Sequence, residues 1–341
     1  MVVNLYGKSK NLILSAGALS LLALGTGMPN AMAARLTAPT SITVAYMANM
    51  GGASTLAVAE HMGYFKKAGL NVHLDLFQTG PAELDAMASG TVNIAYIGSG
   101  AAFLPMKGMA KIFFIDSIGL GDGIVVSKSS GVHTLRQLKG KSVLLPMGTT
   151  AEIILYEALK KAGLSLNDVH MVNTSPSSEA PAFLSGRAPI MAGWDPNLQV
   201  VLNRSPGSKL LASDRMFYPQ VSLPGIWTAS NAFAKSNVPA LTKFTWAMLQ
   251  AVNYKSGHMA QAVSWTSQMT GVPGPLLSQS VKDSIFPTES NLLKYYTSGN
   301  VSKWFNTLGS TFVAMKALQK VPAYASYAFP DLVLRASKLK L

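Results

Sequence analysis

The strongest constraint on this chain is a strand–helix alternation that runs from Ser41 to Ile115 and starts again at Ser142. Ser41 to Tyr46 is β-branched and alternating, as a half-buried strand requires. Ala53 to Ala68 has apolar residues at helical spacing and stops at Gly69, a C-terminal cap signal. Val72 to Phe77 alternates again. Pro81 to Ser89 reads as a short helix ended by Gly90, and Val92 to Ile97 as a strand. Ala101 to Lys107 follows as a helix and Ile112 to Ile115 as a buried strand. A β-α-β-α-β-α-β order predicts a parallel sheet with right-handed crossovers.

The second run has the same grammar. Ser142 to Leu145 is a strand, Thr149 to Ala162 a helix capped by Gly163, and Val169 to Val172 a strand. Glu179 to Leu184 is a short helix, Ile190 to Ala192 a strand and Pro196 to Asn203 a helix. Beyond Trp227 the pattern is mainly helical, over Val238–Tyr254, Met259–Met269, Pro275–Val281 and Val301–Leu318. Extended stretches near Gly123–Val126 and Gly225–Ala229 join the two sheets, which predicts two lobes connected by two crossings.

In open α/β sheets, ligands bind outside the carboxyl ends of the strands. The loops there include Met47–Gly52, Gln78–Pro81, Gly98–Ala101, Asp116–Gly123, Met147–Thr150, Thr174–Ser177 and Gly193–Pro196. They are rich in Gly, Ser, Thr, Asn and Pro, so they offer backbone N–H groups and hydroxyls and few acid–base groups.

Composition narrows the chemistry. The 341 residues contain no cysteine, which excludes disulfides, thiolate nucleophiles and cysteine-ligated metals. The five histidines are scattered, with no H-E-x-x-H pair, and there is neither a G-x-S-x-G elbow nor a P-loop. Gly119-x-Gly121-x-Gly123 fails the dinucleotide spacing and precedes a strand where that fingerprint opens a helix. No catalytic residue, metal site or cofactor is expected. A net charge of +13 favours anionic partners, but no basic cluster interleaved with aromatic readers exists, so no nucleic acid is expected as a partner.

The N-terminus reads as an address. Lys8 and Lys10 precede the apolar run Leu12–Leu24, and Ala31-Met32-Ala33-Ala34 supplies a small-residue cleavage site. Cleavage after Ala33 would leave Ala34 first. A lipid anchor needs Cys there, so the exported chain is expected to be free in the periplasm.

Three segments carry a family resemblance: Gly63-Tyr64-Phe65-Lys66-Lys67-Ala68-Gly69-Leu70, Leu138-Lys139-Gly140-Lys141, and Phe183-Leu184-Ser185-Gly186-Arg187 with Gly193-Trp194-Asp195-Pro196. They resemble ABC-importer substrate-binding proteins of the nitrate/sulfonate/taurine family. The resemblance implies an α/β fold, the two-lobed type II periplasmic-binding-protein clamp, with parallel-core sheets and a helical C-terminal region. The corresponding division is a signal peptide over 1–33, lobe I over 34–123, lobe II over 124–226, and a second part of lobe I with C-terminal helices over 227–341. It further implies a monomer that captures a small organic anion, taurine-like or an aliphatic sulfonate, and passes it to an ABC permease and its ATPase. Nitrate or bicarbonate is the alternative ligand. An enzyme on the same fold is a further alternative, but such relatives use cysteine motifs that are missing here.

Candidate ligand residues follow from the loops. Thr149 and Thr150 open a helix, where free N–H groups and the dipole suit an anion; Thr149 with Glu152 also has capping-box spacing. Ser99 opens another helix. Tyr46 and Asn49 end the first strand, and Gln78 ends the second. Trp194 either covers a short alkyl chain at the cleft edge, which the resemblance at its Trp-x-Pro motif favours, or fills the core of its lobe. Asp195 is either a cleft acid or an N-cap ahead of Pro196. Asp122 lies near a position where taurine-binding relatives carry Glu. A second acid of those relatives is replaced by Gly225, two residues before the candidate Trp227, leaving Asp122 or Asp195 to meet a ligand amine.

Overall fold

A computed structural model describes residues 39–341. The signal sequence and its cleavage site lie outside the described residues. Two sheets form the frame. The first contains β1 (Thr40–Met47), β2 (Leu70–Phe77), β3 (Ile94–Ile97) and β4 (Ala110–Gly119). The second contains β5 (Gly123–Val126), β6 (Ser142–Leu145), β7 (His170–Asn173), β8 (Ile190–Gly193) and β9 (Lys209–Ser213). The chain then re-enters the first sheet through β10 (Leu223–Ser230) and the two-residue β11 (Ser284–Ile285). The strand orders are β11-β4-β10-β3-β1-β2 and β7-β6-β8-β5-β9.

The parallel expectation holds for β2-β1-β3 and for β7-β6-β8. It does not hold for the crossings. β10 runs antiparallel between β3 and β4, and β5 runs antiparallel between β8 and β9. The two extended links are thus full members of the sheets, each joining the sheet that the chain enters through it. Burial follows position. The interior strand β3 is buried throughout, whereas the edge strand β2 alternates between covered and exposed.

Several helices differ from their sequence boundaries. The first is broken at Met62-Gly63 into Met50–His61 and Tyr64–Lys67, because Gly63 takes φ +66°. Ala101–Lys107 resolves into a 3₁₀ turn, Ser99–Ala101, and one turn of α-helix, Phe103–Met106. Asp116 is not in a loop. It lies inside β4, fully buried. The C-terminal helices Val238–Gly257, Met259–Thr270, Gly274–Lys282 and Asn300–Ala314 match the expected spans closely, and Glu289–Thr297 is an additional one.

The main core lies under the first sheet, where Trp227, Phe113, Phe114 and Phe244 are fully buried. Each such side chain contributes roughly 1.5–3 kcal/mol by leaving water. Trp227 meets Tyr96 edge-on at 5.3 Å between ring centroids. This packing fixes the back wall of the cleft described next.

Candidate functional site

The strand ends and helix starts of both sheets converge on one cavity, lined by Asn49, Tyr96, Ser99 and Ser117 on one side and by Thr149, Thr150, Trp194 and Asp195 on the other. Its interior offers about 90 Å³ to the centre of a water-sized sphere. That is room for roughly half a dozen waters or one small solute. Among the described residues no three His, Cys, Asp or Glu side chains are grouped to hold a metal ion.

Seven sequence-derived candidates line this cavity: Asn49, Ser99, Asp122, Thr149, Thr150, Trp194 and Asp195. Three are not in its lining. Tyr46 is buried within β1, and Trp227 is core behind Tyr96. Gln78 is exposed and accepts a hydrogen bond from Ser177 Oγ at 3.2 Å, a contact that joins the two lobes at their rim.

Local bonding revises the expected roles. Asn49 caps its helix by accepting from Gly52 N–H at 2.7 Å. Thr149 and Glu152 do not form a capping box. Thr149 Oγ1 donates to Pro146 O at 2.6 Å, while Glu152 accepts from Gly148 N–H at 2.8 Å. Ser99 Oγ donates to Pro224 O at 2.7 Å. Thr150 Oγ1 accepts from Gly100 N–H at 3.4 Å, again across the lobes. Asp195 is not an N-cap, because the helix starts at Asn197 with Pro196 before it. Both of its carboxylate oxygens are buried; no contact meets full hydrogen-bond geometry, although Ser280 and Gln199 lie close enough to favour its charge.

Three residues gain importance that no local sequence signal marked. Tyr96 is buried at the floor, and its hydroxyl lies where side chains at Gly51 and Gly225 would go. With Tyr96 and Ser117 as they stand, an acid at position 225, which the resemblance to taurine-binding relatives would put there, would have to displace both hydroxyls. Asp283, from the loop after Gly274–Lys282, joins the wall; it is held by Arg215 at 3.3 Å and by Gln279 at 2.9 Å. Ser117 donates to Asp116 at 3.2 Å, and Asp116 also accepts from Thr55. Behind Thr55 is the fully buried Lys255, donating to Thr55 at 2.7 Å and to Ser54 at 3.1 Å.

The electrostatics of the wall are acidic. Burial raises the Asp195 carboxyl to about 6, helped by the nearby Asp283 charge. Asp122 and Asp214 are both raised, by burial first and then by neighbouring carboxylates. Deeper in the second lobe, burial raises Glu179 to about 8. Burial also lowers Lys255 to about 8, against the pull of Asp116.

Comparison with known proteins places this arrangement. Residues 53–262 match the family described as NMT1/THI5 like. A Brucella abortus protein named only as a binding protein is 30% identical over 278 residues, spanning 82% of this chain and 86% of the relative. The taurine-binding periplasmic protein of Escherichia coli is 24% identical over 298 residues, spanning 84% and 89%. The fold is shared with the alkanesulfonate-binding protein of Xanthomonas axonopodis bound to MOPS, at a TM-score of 0.66 and 19% identity, covering 86% of this chain and 99% of that one.

Proposed function

Since the chain belongs to the NMT1/THI5-like family, we propose that it is the periplasmic solute-binding component of an ABC importer. It captures one small organic solute by closing its lobes and delivers it to a permease and ATPase. The observation that carries this reading is the convergence of both lobes on one small cavity lined by helix starts and polar side chains. The moving lobe is residues 124–226, and the crossings are its hinges. No bond is made or broken, so the work is done by hinge closure around preformed dipoles.

Seven residues are assigned to the solute: Asn49, Ser99, Thr149 and Thr150 with their helix-start N–H groups, Trp194 as an apolar cover, and Asp122 and Asp195 as acids. A taurine-like or aliphatic sulfonate suits the helix starts, which hold anions without a formal counter-charge. Relatives named for taurine and aliphatic sulfonates support that class. Nitrate or bicarbonate is the runner-up, with less support because the curated relatives named for a ligand are named for taurine or aliphatic sulfonates.

A thermal-shift series on the exported chain tests the function. A solute that binds only the folded state raises apparent stability. Taurine or an alkanesulfonate should raise the melting temperature, and ATP or an oligonucleotide should not. Stabilisation by nitrate or bicarbonate with none by any organic solute would contradict the assignment.

A further inference from the structure

We propose that the pole of residues 124–226 farthest from the cavity is a docking face for an anionic phospholipid surface. The face shares no residue with the solute cavity, and its role is separate from solute capture.

Charge in this lobe is segregated by the direction of its elements. β6 and β8 run parallel and end at the cavity, so their starts mark the far pole. Lys139 and Lys141 precede β6, and Arg187 precedes β8. β5 runs the other way; Lys128 follows its end, and Val126 pairs there with Lys209 at the start of β9. Arg136 lies in the link from β5 to β6. Lys160 and Lys161 close the helix Thr150–Lys161, and Arg204 closes Asn197–Arg204. All of these side chains are exposed, and Arg215 is the sole other Lys or Arg between 124 and 226. The acids take the opposite end. Glu152 and Glu179 sit in first turns of helices, and Asp195 and Asp214 follow β8 and β9. Only Asp168 and the buried Glu157 accompany the basic pole, meeting Lys139 at 3.8 Å and Lys160 at 3.6 Å. A large positive excess remains.

Compensation of helix dipoles accounts for part of this pattern. Cations favour helix C-termini, which explains Lys160, Lys161 and Arg204. The others flank strands or short turns, where no long helix calls for them. The shape of the array then selects the partner. Ile124 and Val126 of β5 pack in one core with Ile153 and Ile154, while Val125 packs in another with Leu198 and Val201. The helices ending at Lys161 and Arg204 therefore lie on opposite faces of the sheet, and the charges spread over an area. A nucleic acid sets its charges along a line and is bound by a basic stripe or groove with aromatic stacking. No aromatic side chain between 124 and 226 is exposed. A layer of anionic headgroups presents charge over an area and attracts each Lys or Arg within about a Debye length, roughly 8 Å at physiological salt.

Co-flotation of the exported chain with vesicles tests the face. One set is phosphatidylcholine alone and the other contains about 30% phosphatidylglycerol, a strongly anionic surface. The chain should bind the anionic vesicles at least tenfold tighter, and lose that binding in about 0.5 M salt. A variant with Lys141→Gln, Arg187→Gln, Arg204→Gln and Lys209→Gln should lose at least tenfold in affinity. A control with Lys235→Gln, Lys294→Gln, Lys303→Gln and Lys320→Gln removes the same charge from exposed positions elsewhere and should change affinity by no more than about twofold. Both variants should keep the parent's melting temperature and its thermal shift with solute, because none of the eight positions lines the cavity. Equal binding to the two vesicle types would overturn the proposal. So would equal losses in the two variants, or tighter binding to an oligonucleotide than to the anionic vesicles. Each of those results would leave solute capture standing.

Discussion

The hydroxyl of Tyr96 lies 2.7 Å from where a Cβ at Gly225 would stand, so these two residues share one volume at the cleft floor. Ser117 Oγ bounds the same point at 2.5 Å. The cleft thus places a neutral phenol where the sequence comparison expected an acid, and its negative charge comes instead from Asp122 and Asp195.

Gly225→Ala should therefore lower stability by roughly 1–3 kcal/mol, the cost of overpacking a filled site. Adding Tyr96→Phe should recover part of it, because the phenol oxygen is removed while the ring stays. Denaturant melts of both variants check this. Equal losses in the single and double variants would show that the hydroxyl does not set the conflict.

Gly100 lies at the close approach between the two lobes. A Cβ there would stand 1.8 Å from the Thr149 carbonyl carbon, which belongs to the opposing lobe. Gly100→Ala should weaken solute binding at least tenfold, on the order of 1.4 kcal/mol or more. Unfolding of the ligand-free chain should change by less than binding does, because opening the lobes moves the Thr149 backbone away from this buried glycine. Calorimetry and denaturant melts read the two quantities separately.

The buried cation has a distinct signature. Lys255→Met removes the buried charge that faces Asp116 across Thr55 and should destabilise the fold, by less than the roughly 3–5 kcal/mol of a directly paired buried bridge. Lys255→Met with Asp116→Asn should recover much of that loss. A Lys255→Met protein as stable as the parent would show that the pair is not coupled through Thr55.

Stability should fall as pH rises from about 4.5 to 8. Asp195 at about 6 and Glu179 at about 8 hold protons in the fold that the unfolded chain has already released, as do Asp122 and Asp214. The folded state binds more protons in that window, so ionisation erodes stability, on the order of 2–3 kcal/mol from Asp195 alone. Lys255 has the opposite sign but acts only above its value of about 8. Denaturant melts across the window check the slope, and stability that rises with pH would contradict it.

The parallel half of each sheet was legible because β1, β2 and β3 carry alternation and glycine stops. The antiparallel half was not. β9 reads Lys-Leu-Leu-Ala-Ser, five residues with neither alternation nor a β-branched side chain, and the partners of β10 are set by contacts more than a hundred residues away. The site's loops were found because strand ends converge in such folds. The direction of the hydroxyl protons was hidden, since it depends on the carbonyls of Pro146 and Pro224. Asp283 was hidden as well, because nothing near it in sequence links it to Asp195.

Small-angle scattering tests the central claim most directly, using the solute that gives the largest thermal shift. The account predicts that a saturating solute shrinks the radius of gyration of the parent protein, and that Gly100→Ala at equal occupancy contracts less. A solute that binds with one-to-one stoichiometry and leaves the parent's scattering unchanged would contradict capture by lobe closure.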